Sequence, residues 1–291
     1  MDTTLLTIKE ALEKSADYLC KKNSLSPRLD AEVLLSHVMG LPRLQLYLQF
    51  DRPLSESERE HYRALLKRRG DHEPVAYITG KKEFFSLVFQ VTPAVLIPRP
   101  ETEILVEQAI KRIEEWIKAH EGRFPRIFEV GAGSGAVSIC LLHRFPDLEV
   151  TGSDINAEAL KVAVRNADAH HVSERLQLIH GDLFAGQGGF HDFIISNPPY
   201  IAEAERDALA PDILRYEPAT ALFAGPEGLD MIERIILEGE KNISPDGWIL
   251  VEIGKGQSLK LLHKIEEEKK FRVVQTVEDY TGLVRILCMM K

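Results

Sequence analysis

Short apolar runs alternate with helical segments through the second part of the chain, and this alternation constrains the fold more than any other feature. Such runs are typical of strands buried on both faces of a sheet, and helices between them indicate parallel crossovers. From residue 104 onward we expect an α/β domain, a doubly wound, mostly parallel, seven-stranded sheet with helices on both faces. The last two runs leave no room for a long helix, which predicts an antiparallel edge pair. The predicted strands are residues 126–130, 149–154, 176–180, 192–196, 248–253, 271–277 and 284–289.

The first 72 residues have a helical pattern instead. Thr7 with Glu10, and Ser55 with Glu58, have the spacing of capping boxes, and Pro27 begins a helix between them. No catalytic constellation occurs in this part, so we interpret residues 1–72 as a helical bundle for substrate recognition.

Residues 73–100 are rich in aromatic and β-branched side chains, which predicts a β-hairpin linking two domains. Tyr77 and Ile78 would lie on its first strand, and Gly80 with the two lysines after it would form its turn. Residues 101–291 then form the Rossmann-like domain.

The overall charge excludes one class of partner. The 291 residues carry a formal net charge of −9, with a pI near 5.6, whereas an extended grip on duplex nucleic acid needs clustered cations. A local basic patch remains an alternative, because Lys67-Arg68-Arg69 and Lys81-Lys82 are two clusters of cations. Their simpler explanation is that the first is a solvated helix end and the second the rim of a hairpin. We expect no direct binding of duplex nucleic acid.

The cysteines and the N-terminus predict a location. Cys20, Cys140 and Cys288 have no paired or zinc-type spacing, so we expect reduced, mostly buried thiols and no metal site. Residues 1–4 lack a basic region followed by an apolar core, and no apolar run reaches membrane-spanning length. The expectation is a soluble, unprocessed, monomeric protein of the cytoplasm that binds no membrane.

A proline-rich loop follows the predicted strand at residues 192–196. The two prolines of Asn197-Pro198-Pro199-Tyr200 fix their own φ angles and donate no hydrogen bond, so the neighbouring carbonyls form a rigid array of acceptors. With the Asn197 oxygen, this array suits a planar amino group, either a carboxamide or an exocyclic base amine. Tyr200 offers a flat face for stacking. A stiff turn is the simpler explanation of Pro-Pro alone, but the preceding buried strand and Tyr200 favour a site.

A glycine-rich loop follows the first predicted strand and precedes a helix, where backbone N–H groups can face a ligand. Alone it does not decide the cofactor, because Gly131-x-Gly133-x-x-Ala136, with Asp154 about twenty residues later, also fits a dinucleotide fingerprint. The candidate cofactor-binding residues of this loop are Gly131, Ala132, Gly133, Ser134 and Gly135.

The ends of the next strands favour S-adenosylmethionine over NAD. Asp154 can accept both ribose hydroxyls, Asp182 the adenine amino group, and Leu183 can pack on the adenine ring. Ligands of open α/β sheets bind at the carboxyl ends of the strands, so these loops and Asn197 converge on one crevice. Each acid alone would also be explained as a helix cap or a turn residue.

Several of these segments together resemble the protein-(glutamine-N5) methyltransferases that modify peptide chain release factors, over nearly the whole chain. The run after Pro98-Arg99 resembles that family more than its sister family, which acts on a ribosomal protein. The segments that carry the resemblance are residues 73–80, 96–103, 131–136, 196–200 and 215–222.

The resemblance implies a helical N-terminal domain joined by a hairpin to a class I adenosylmethionine-dependent domain. It implies that residues 131–135, Asp154 and Asn197 bind S-adenosylmethionine, which leaves as S-adenosylhomocysteine. Residues 197–200 would bind the glutamine of a Gly-Gly-Gln motif in the release factor, which is the expected partner.

A carboxamide nitrogen is a poor nucleophile, so the site would orient it rather than deprotonate it. Our hypothesis is that Asn197 Oδ1 and the Pro198 carbonyl accept its two N–H bonds. The sequence assigns no role to Arg215, Glu217 or Glu252. The alternatives are a glutamine methyltransferase of a ribosomal protein, an adenine-N6 methyltransferase of nucleic acid, and a non-catalytic or NAD-binding module.

Overall fold

The computed structural model describes residues 6–184, 186–187 and 189–291. The expectation drawn from residues 1–4 therefore lies outside the described residues. The chain divides into two compact units, one comprising Met1–Lys81 and Ala210–Tyr216 and the other Lys82–Leu209 and Glu217–Lys291.

The first unit is helical, and local signals explain where its helices begin. Thr7 accepts a hydrogen bond from the Glu10 N–H while the Glu10 carboxylate accepts one from the Thr7 N–H, and Ser55 and Glu58 repeat this arrangement. Both predicted capping boxes are confirmed, as is the start at Pro27. The helices are α1 (Ile8–Lys21), α2 (Pro27–Met39), α3 (Arg43–Leu48), α4 (Glu56–Gly70), α5 (Val75–Thr79) and α9 (Pro211–Tyr216).

The predicted hairpin is shorter than expected. Tyr77 and Ile78 lie on helix α5, and Gly80 ends that helix in the left-handed conformation, so the predicted turn at Gly80 is wrong. Glycine has no Cβ to oppose a positive φ, which is why it ends helices so often. The strands are β1 (Lys81–Phe84) and β2 (Leu87–Gln90), and the turn between them lies at Phe85 and Ser86.

The second unit contains a seven-stranded sheet in the order β5-β4-β3-β6-β7-β9-β8. Strands β3 to β7 are parallel, and β9 pairs antiparallel with both β7 and β8. The predicted fold class and the antiparallel edge are confirmed. The strands are β3 (Ile127–Val130), β4 (Val150–Asp154), β5 (Leu176–His180), β6 (His191–Ser196), β7 (Ile243–Glu252), β8 (Val273–Glu278) and β9 (Val284–Met290).

Successive residues of a strand point to opposite faces, and both faces of this sheet are covered. Phe193 and Ile195 of β6 pack into one apolar cluster, while Ile194 packs into the other. The helices of this unit are α6 (Pro100–Ala119), α7 (Ala136–Arg144), α8 (Ala157–Ala169), α10 (Asp230–Asn242) and α11 (Ser258–Glu268).

The strand order fixes where a ligand can bind. β3 is flanked by β4 on one side and by β6 on the other, so the direction of winding reverses at β3. In open α/β sheets the crevice at such a switch point, outside the carboxyl ends of the strands, is the ligand site.

Two remaining expectations concern thiols and membranes. Cys140 and Cys288 are buried, as expected, whereas Cys20 is exposed. Among the described helices none has the length and apolarity needed to cross a membrane.

Asn166 of α8 joins three segments of the second unit. Its side chain is fully buried; Nδ2 donates to the carbonyls of Gln90 (3.0 Å) and Ser134 (2.8 Å), and Oδ1 accepts from the Gln90 N–H (2.7 Å). Buried polar backbone groups must be paired. The Asn166 carboxamide therefore provides hydrogen-bond partners for the Gln90 backbone of the hairpin and also fixes the glycine-rich loop.

Replacing Asn166 with Asp should destabilise this unit strongly. A carboxylate oxygen would then face two carbonyl oxygens in a buried position, and we expect the free energy of unfolding to fall by about 3 kcal/mol. Urea titration followed by circular dichroism measures this change. Gln177→Glu, which adds the same charge at an exposed position of β5, is the control; equal stability losses in both variants would contradict the proposed clamp.

Candidate active site

The glycine-rich loop makes a tight turn between β3 and α7. Gly131, Gly133 and Gly135 have φ angles of 75°, 56° and 78°, which residues with a Cβ rarely adopt. The N–H groups of Gly131 and Ala132 both donate to the carbonyl of Ser153 at 2.9 Å. These bonds fix the loop against the end of β4, so that the first turn of α7 lines the cavity.

Asp154 ends β4 and faces the cavity. Its Oδ2 accepts from the Gly133 N–H and its Oδ1 from the Asn156 N–H, both at 2.8 Å. The N-cap of α8 is Asn156, whose Oδ1 accepts from the Glu158 N–H. The alternative explanation of Asp154 as the helix cap is therefore wrong, and its carboxylate is held rigidly at the cavity wall.

The loop after β5 adds Asp182 and Leu183 to the cavity wall. Asp182 forms an ion pair with Arg234 of α10 (2.6 Å) and stays about half exposed. Leu183 is buried at a φ of 46°, and its carbonyl accepts a hydrogen bond from the Ser153 hydroxyl. Backbone contacts with β4 thus hold this loop in place, and Leu183 contributes an apolar surface.

Asn197 follows β6 directly, and the end of that strand is anchored. The Ser196 hydroxyl donates to the Val130 carbonyl at 2.7 Å. The Asn197 amide nitrogen donates to Oγ1 of Thr102, a buried residue in the first turn of α6, at 2.9 Å. No described donor bonds the amide oxygen of Asn197. Asn197 lines the cavity, and this arrangement leaves its Oδ1 as the side-chain atom that can accept a hydrogen bond from a ligand.

Tyr200 anchors the proline loop, residues 197–200, to the end of β7 and to Gln257. Its ring packs against the apolar cluster that contains Ile194, and its hydroxyl donates to Glu252 Oε1 at 3.3 Å. Its carbonyl accepts from Gln257 Nε2 at 2.9 Å. Tyr200 does not line the cavity, unlike the three residues before it. The role of its ring in stacking a substrate stays a prediction.

Glu129 is a buried carboxyl at the back of the cavity. It accepts hydrogen bonds from the Ser138 N–H (3.1 Å) and from the Ser138 hydroxyl. Burial raises the pKa of Glu129 to about 8, and the nearby charge of Asp154 adds to the rise, so that this side chain is largely neutral at pH 7. Through these hydrogen bonds Glu129 joins the start of α7 to β3.

Glu217 connects segments 96–99 and 217–221, both of which contribute residues to the cavity wall. Its buried carboxylate pairs with the Arg99 guanidinium and accepts from the Ile97 N–H at 3.3 Å. Pro98 and Pro218, next to these residues, line the cavity. Arg215 is exposed on α9 and does not line it. Glu217 therefore has a structural role: it holds these two parts of the cavity wall together.

The cavity brings together most of the predicted site residues. Its empty volume, including the open mouth, is about 1020 Å³. Gly135 and Tyr200 are not among the residues that line it. Within the described part of the chain, no group of three or more His, Cys, Asp and Glu side chains could hold a metal ion. The predicted residues that line it are Gly131, Ala132, Gly133, Ser134, Asp154, Asp182, Leu183, Asn197, Pro198 and Pro199.

The sequence did not predict three supporting residues, Thr102, Glu252 and Gln257. Each acts on a residue far away in the chain, so no local pattern marks it. One signal was present: an acidic residue, Glu252, at the end of the apolar run 248–253 is unusual in a strand buried on both faces.

Comparison with known proteins identifies the class. Residues 10–80 match the model of the PrmC N-terminal domain, and residues 116–225 match that of the methyltransferase small domain. Two solved structures share the fold at 19% identity. The hMettl16 catalytic domain, in complex with the MAT2A 3′UTR hairpin 6, has a TM-score of 0.56 over 74% of this chain and 79% of its own. The T. thermophilus 16S rRNA methyltransferase RsmC, in complex with AdoMet and guanosine, has a TM-score of 0.52 over 72% and 49%. The fold is that of a class I methyltransferase.

Proteins with higher sequence identity to this chain show the family to which it belongs. The release factor glutamine methyltransferase of Rhodopirellula baltica is 37% identical over 98% of this chain and 96% of its own. That of Chlorobaculum tepidum is 39% identical over 98% and 97%. The chain belongs to the family of release factor glutamine methyltransferases.

The buried carboxyl of Glu129 should make stability depend on pH. Its pKa is raised from the usual 4.5 to about 8, so the folded state holds a proton that the unfolded state loses first. The free energy of unfolding should therefore fall as pH rises between these two values, by up to about 1.4 kcal/mol per pH unit from this group.

Urea unfolding between about pH 5 and about pH 9 measures this slope. Glu129→Gln keeps an oxygen for the Ser138 N–H but has no proton to lose, so its slope should be smaller than that of the wild type. Glu174→Gln, at an exposed position, is the control and should keep the wild-type slope. Identical slopes in the Glu129→Gln variant and the wild type would contradict the assignment.

Proposed function

We propose that this protein transfers the methyl group of S-adenosylmethionine to the side-chain amide nitrogen of the glutamine in the Gly-Gly-Gln motif of peptide chain release factors, which supports translation termination. The observation that carries the proposal is the fixed side-chain amide of Asn197, a residue that lines the cavity: its nitrogen donates to Thr102, which leaves its oxygen for a ligand. The names of the close relatives support the same substrate.

The residues of the cavity fit S-adenosylmethionine. A Cβ built on Gly131 would meet no atom within 4 Å, which leaves open space beside the backbone for a ligand. Each Asp154 oxygen accepts one backbone hydrogen bond and has a further lone pair for a ribose hydroxyl. Leu183 supplies an apolar surface for an adenine ring, and Asp182 an acceptor for its amino group. When bound, the cofactor supplies a methyl group activated by a sulfonium charge.

The chain's own residues would orient the substrate. A carboxamide nitrogen has two N–H bonds, and both need acceptors once water is excluded. We assign Asn197 Oδ1 and the Pro198 carbonyl as these acceptors, which fixes the direction of the nitrogen lone pair. Pro198 and Pro199 hold this geometry before the substrate arrives, so little reorganisation is needed during transfer. The nitrogen loses a proton only after methylation, when it is strongly acidic, and no dedicated base is needed.

The remaining features belong to the same proposal. Residues 1–72 would recognise the release factor, residues 73–100 would link the two domains, and residues 101–291 would carry the chemistry. The protein would act as a monomer in the cytoplasm, where release factors work. Its net charge of −9 disfavours the alternative of a nucleic-acid substrate.

A methyl-transfer assay with three substrates tests the proposal. Labelled S-adenosylmethionine is offered with an intact release factor, a ribosomal protein or DNA, and the labelled atom is located by mass spectrometry. We expect label on the glutamine of the Gly-Gly-Gln motif alone. Label on the ribosomal protein or on DNA, with none on the release factor, would replace the proposal with one of its alternatives.

Replacing Asn197 with Ala should abolish most of the transfer. Removing one fixed hydrogen-bond partner at a reacting group typically costs about 100-fold or more in kcat. Single-turnover kinetics on the release factor measures the loss. Asn242→Ala, at the end of α10, removes a carboxamide that donates to the Glu238 carbonyl of its own helix and should keep normal turnover. Normal turnover in Asn197→Ala would remove the proposal.

Asp154→Ala tests the cofactor site separately. Loss of charge-assisted hydrogen bonds to the ribose should raise the dissociation constant of S-adenosylmethionine by at least about tenfold. Isothermal titration calorimetry gives this constant, with Asp147→Ala, an exposed acid, as the control. Unchanged affinity in a folded Asp154→Ala protein would place the cofactor elsewhere.

A further inference from the structure

Glu252 is a fully buried acid at the carboxyl end of β7, one strand away from Asn197. Its Oε1 accepts from the Tyr200 hydroxyl at 3.3 Å. Its Oε2 is buried without a hydrogen-bond partner among the described residues. Thr102 lies close enough to lower the pKa of the carboxyl. Nothing in the proposed reaction uses Glu252, although it contacts two residues that hold the proline loop.

Thr102 links Glu252 to Asn197. Its Oγ1 accepts a hydrogen bond from the Asn197 amide nitrogen at 2.9 Å, so its own hydroxyl proton must be donated elsewhere. The nearby Glu252 Oε2 is a buried acceptor that lacks a donor among the described residues, so we assign it as the acceptor of this proton. The resulting chain of donors runs from Asn197 through Thr102 to Glu252, and its direction decides which end of the amide faces the cavity.

The charge on Glu252 determines this direction. An ionised carboxylate accepts hydrogen bonds but donates none, so Thr102 must donate to it and Asn197 must donate to Thr102. Asn197 Oδ1 then faces the cavity. A protonated Glu252 can donate to Thr102 instead, Thr102 can donate to the Asn197 oxygen, and the amide nitrogen can turn toward the cavity. In that orientation the amide presents hydrogens to the substrate NH₂ group.

We propose that Glu252, in its ionised form, is a positioning residue that keeps the Asn197 oxygen directed at the substrate through the Thr102 hydroxyl. This inference rests on the proposed function, because it concerns the orientation of the group that accepts the glutamine amide. Glu252 itself does not touch the substrate.

The surroundings of Glu252 set the pH at which this control operates. Burial raises the pKa of Glu252 to about 7; Glu101 of α6 raises it further, whereas Thr102, Tyr200 and Arg285 of β9 lower it. The ionised form therefore prevails above about pH 7, and the form that permits the amide to turn prevails below. Turnover should rise with pH through this value, although the transfer itself uses no base.

The kinetic test compares kcat against pH in four proteins with a release factor as substrate. The wild type should show a rising limb with a midpoint of about 7. Glu252→Gln, which accepts and donates but cannot ionise, should lose this limb and about 100-fold in kcat at high pH. Thr102→Val should resemble it, because it removes the linking hydroxyl, whereas Thr102→Ser should restore the larger part of the loss.

A matched control is Asp192→Asn. Asp192 is also a buried acid of the sheet, but its carboxylate accepts from the Arg126 N–H and the Ser244 hydroxyl, and it lies at the opposite end of β6 from Asn197. This variant should lose stability and keep the rising limb. A limb that persists in Glu252→Gln, or one that vanishes equally in Asp192→Asn, would overturn the proposal.

A second measurement needs no substrate, so it separates this inference from the proposed function. The side-chain amide resonances of Asn197, assigned by comparison with Asn197→Ala, are followed by NMR between about pH 5 and about pH 9. They should titrate with a midpoint of about 7 in the wild type and stay constant in Glu252→Gln and Thr102→Val. Resonances that titrate alike in all three proteins would overturn the proposal, even if the release factor is methylated as expected.

Discussion

The hydrogen bond between the Asn197 amide nitrogen and the Thr102 hydroxyl is the contact on which the site depends. It joins the end of β6 to the first turn of α6, across 95 residues of chain. Because one end of a carboxamide donates and the other accepts, anchoring the nitrogen leaves the oxygen for a ligand. In the proposed function, the two prolines that follow hold the backbone carbonyls as further acceptors before any ligand binds.

The parallel sheet places Asn197 next to the loops that follow β3, β4 and β5. The carboxyl ends of β3, β4, β5 and β6 lie at one edge because these strands are parallel neighbours. Short bonds then tie the loops together: Ser153 binds the glycine-rich loop through its carbonyl and the Leu183 loop through its hydroxyl, and Ser196 binds the end of β3. The geometry of the cavity is thus a property of the strand ends rather than of flexible loops.

Two buried carboxyls, Glu129 and Glu252, lie beneath this edge of the sheet, and both have raised pKa values. A buried acid opposes folding as soon as the unfolded chain ionises, so neither is explained by stability alone. Glu129 accepts from the first turn of α7, and Glu252 accepts from the Tyr200 hydroxyl. Both positions hold the backbone or side chains that a ligand would contact, which fits the general finding that perturbed acids cluster at functional sites.

The sequence predicted the features that local patterns encode. Capping boxes at Thr7 and Ser55 and the buried strands were recognised because neighbouring residues suffice to define them. Tyr77 and Ile78 were assigned to a strand wrongly, since a short apolar run fits a buried helix equally well. Glu252 and Thr102 received no role because their partners are distant in the chain, and only the folded sheet brings them together.

A crystal structure of the protein with S-adenosylhomocysteine and a Gly-Gly-Gln peptide tests the central claim most directly. We predict the glutamine amide nitrogen within about 3 Å of Asn197 Oδ1 and directed at the cofactor sulfur. An Asn197 oxygen turned away from the peptide, or a glutamine held by other residues, would contradict the account.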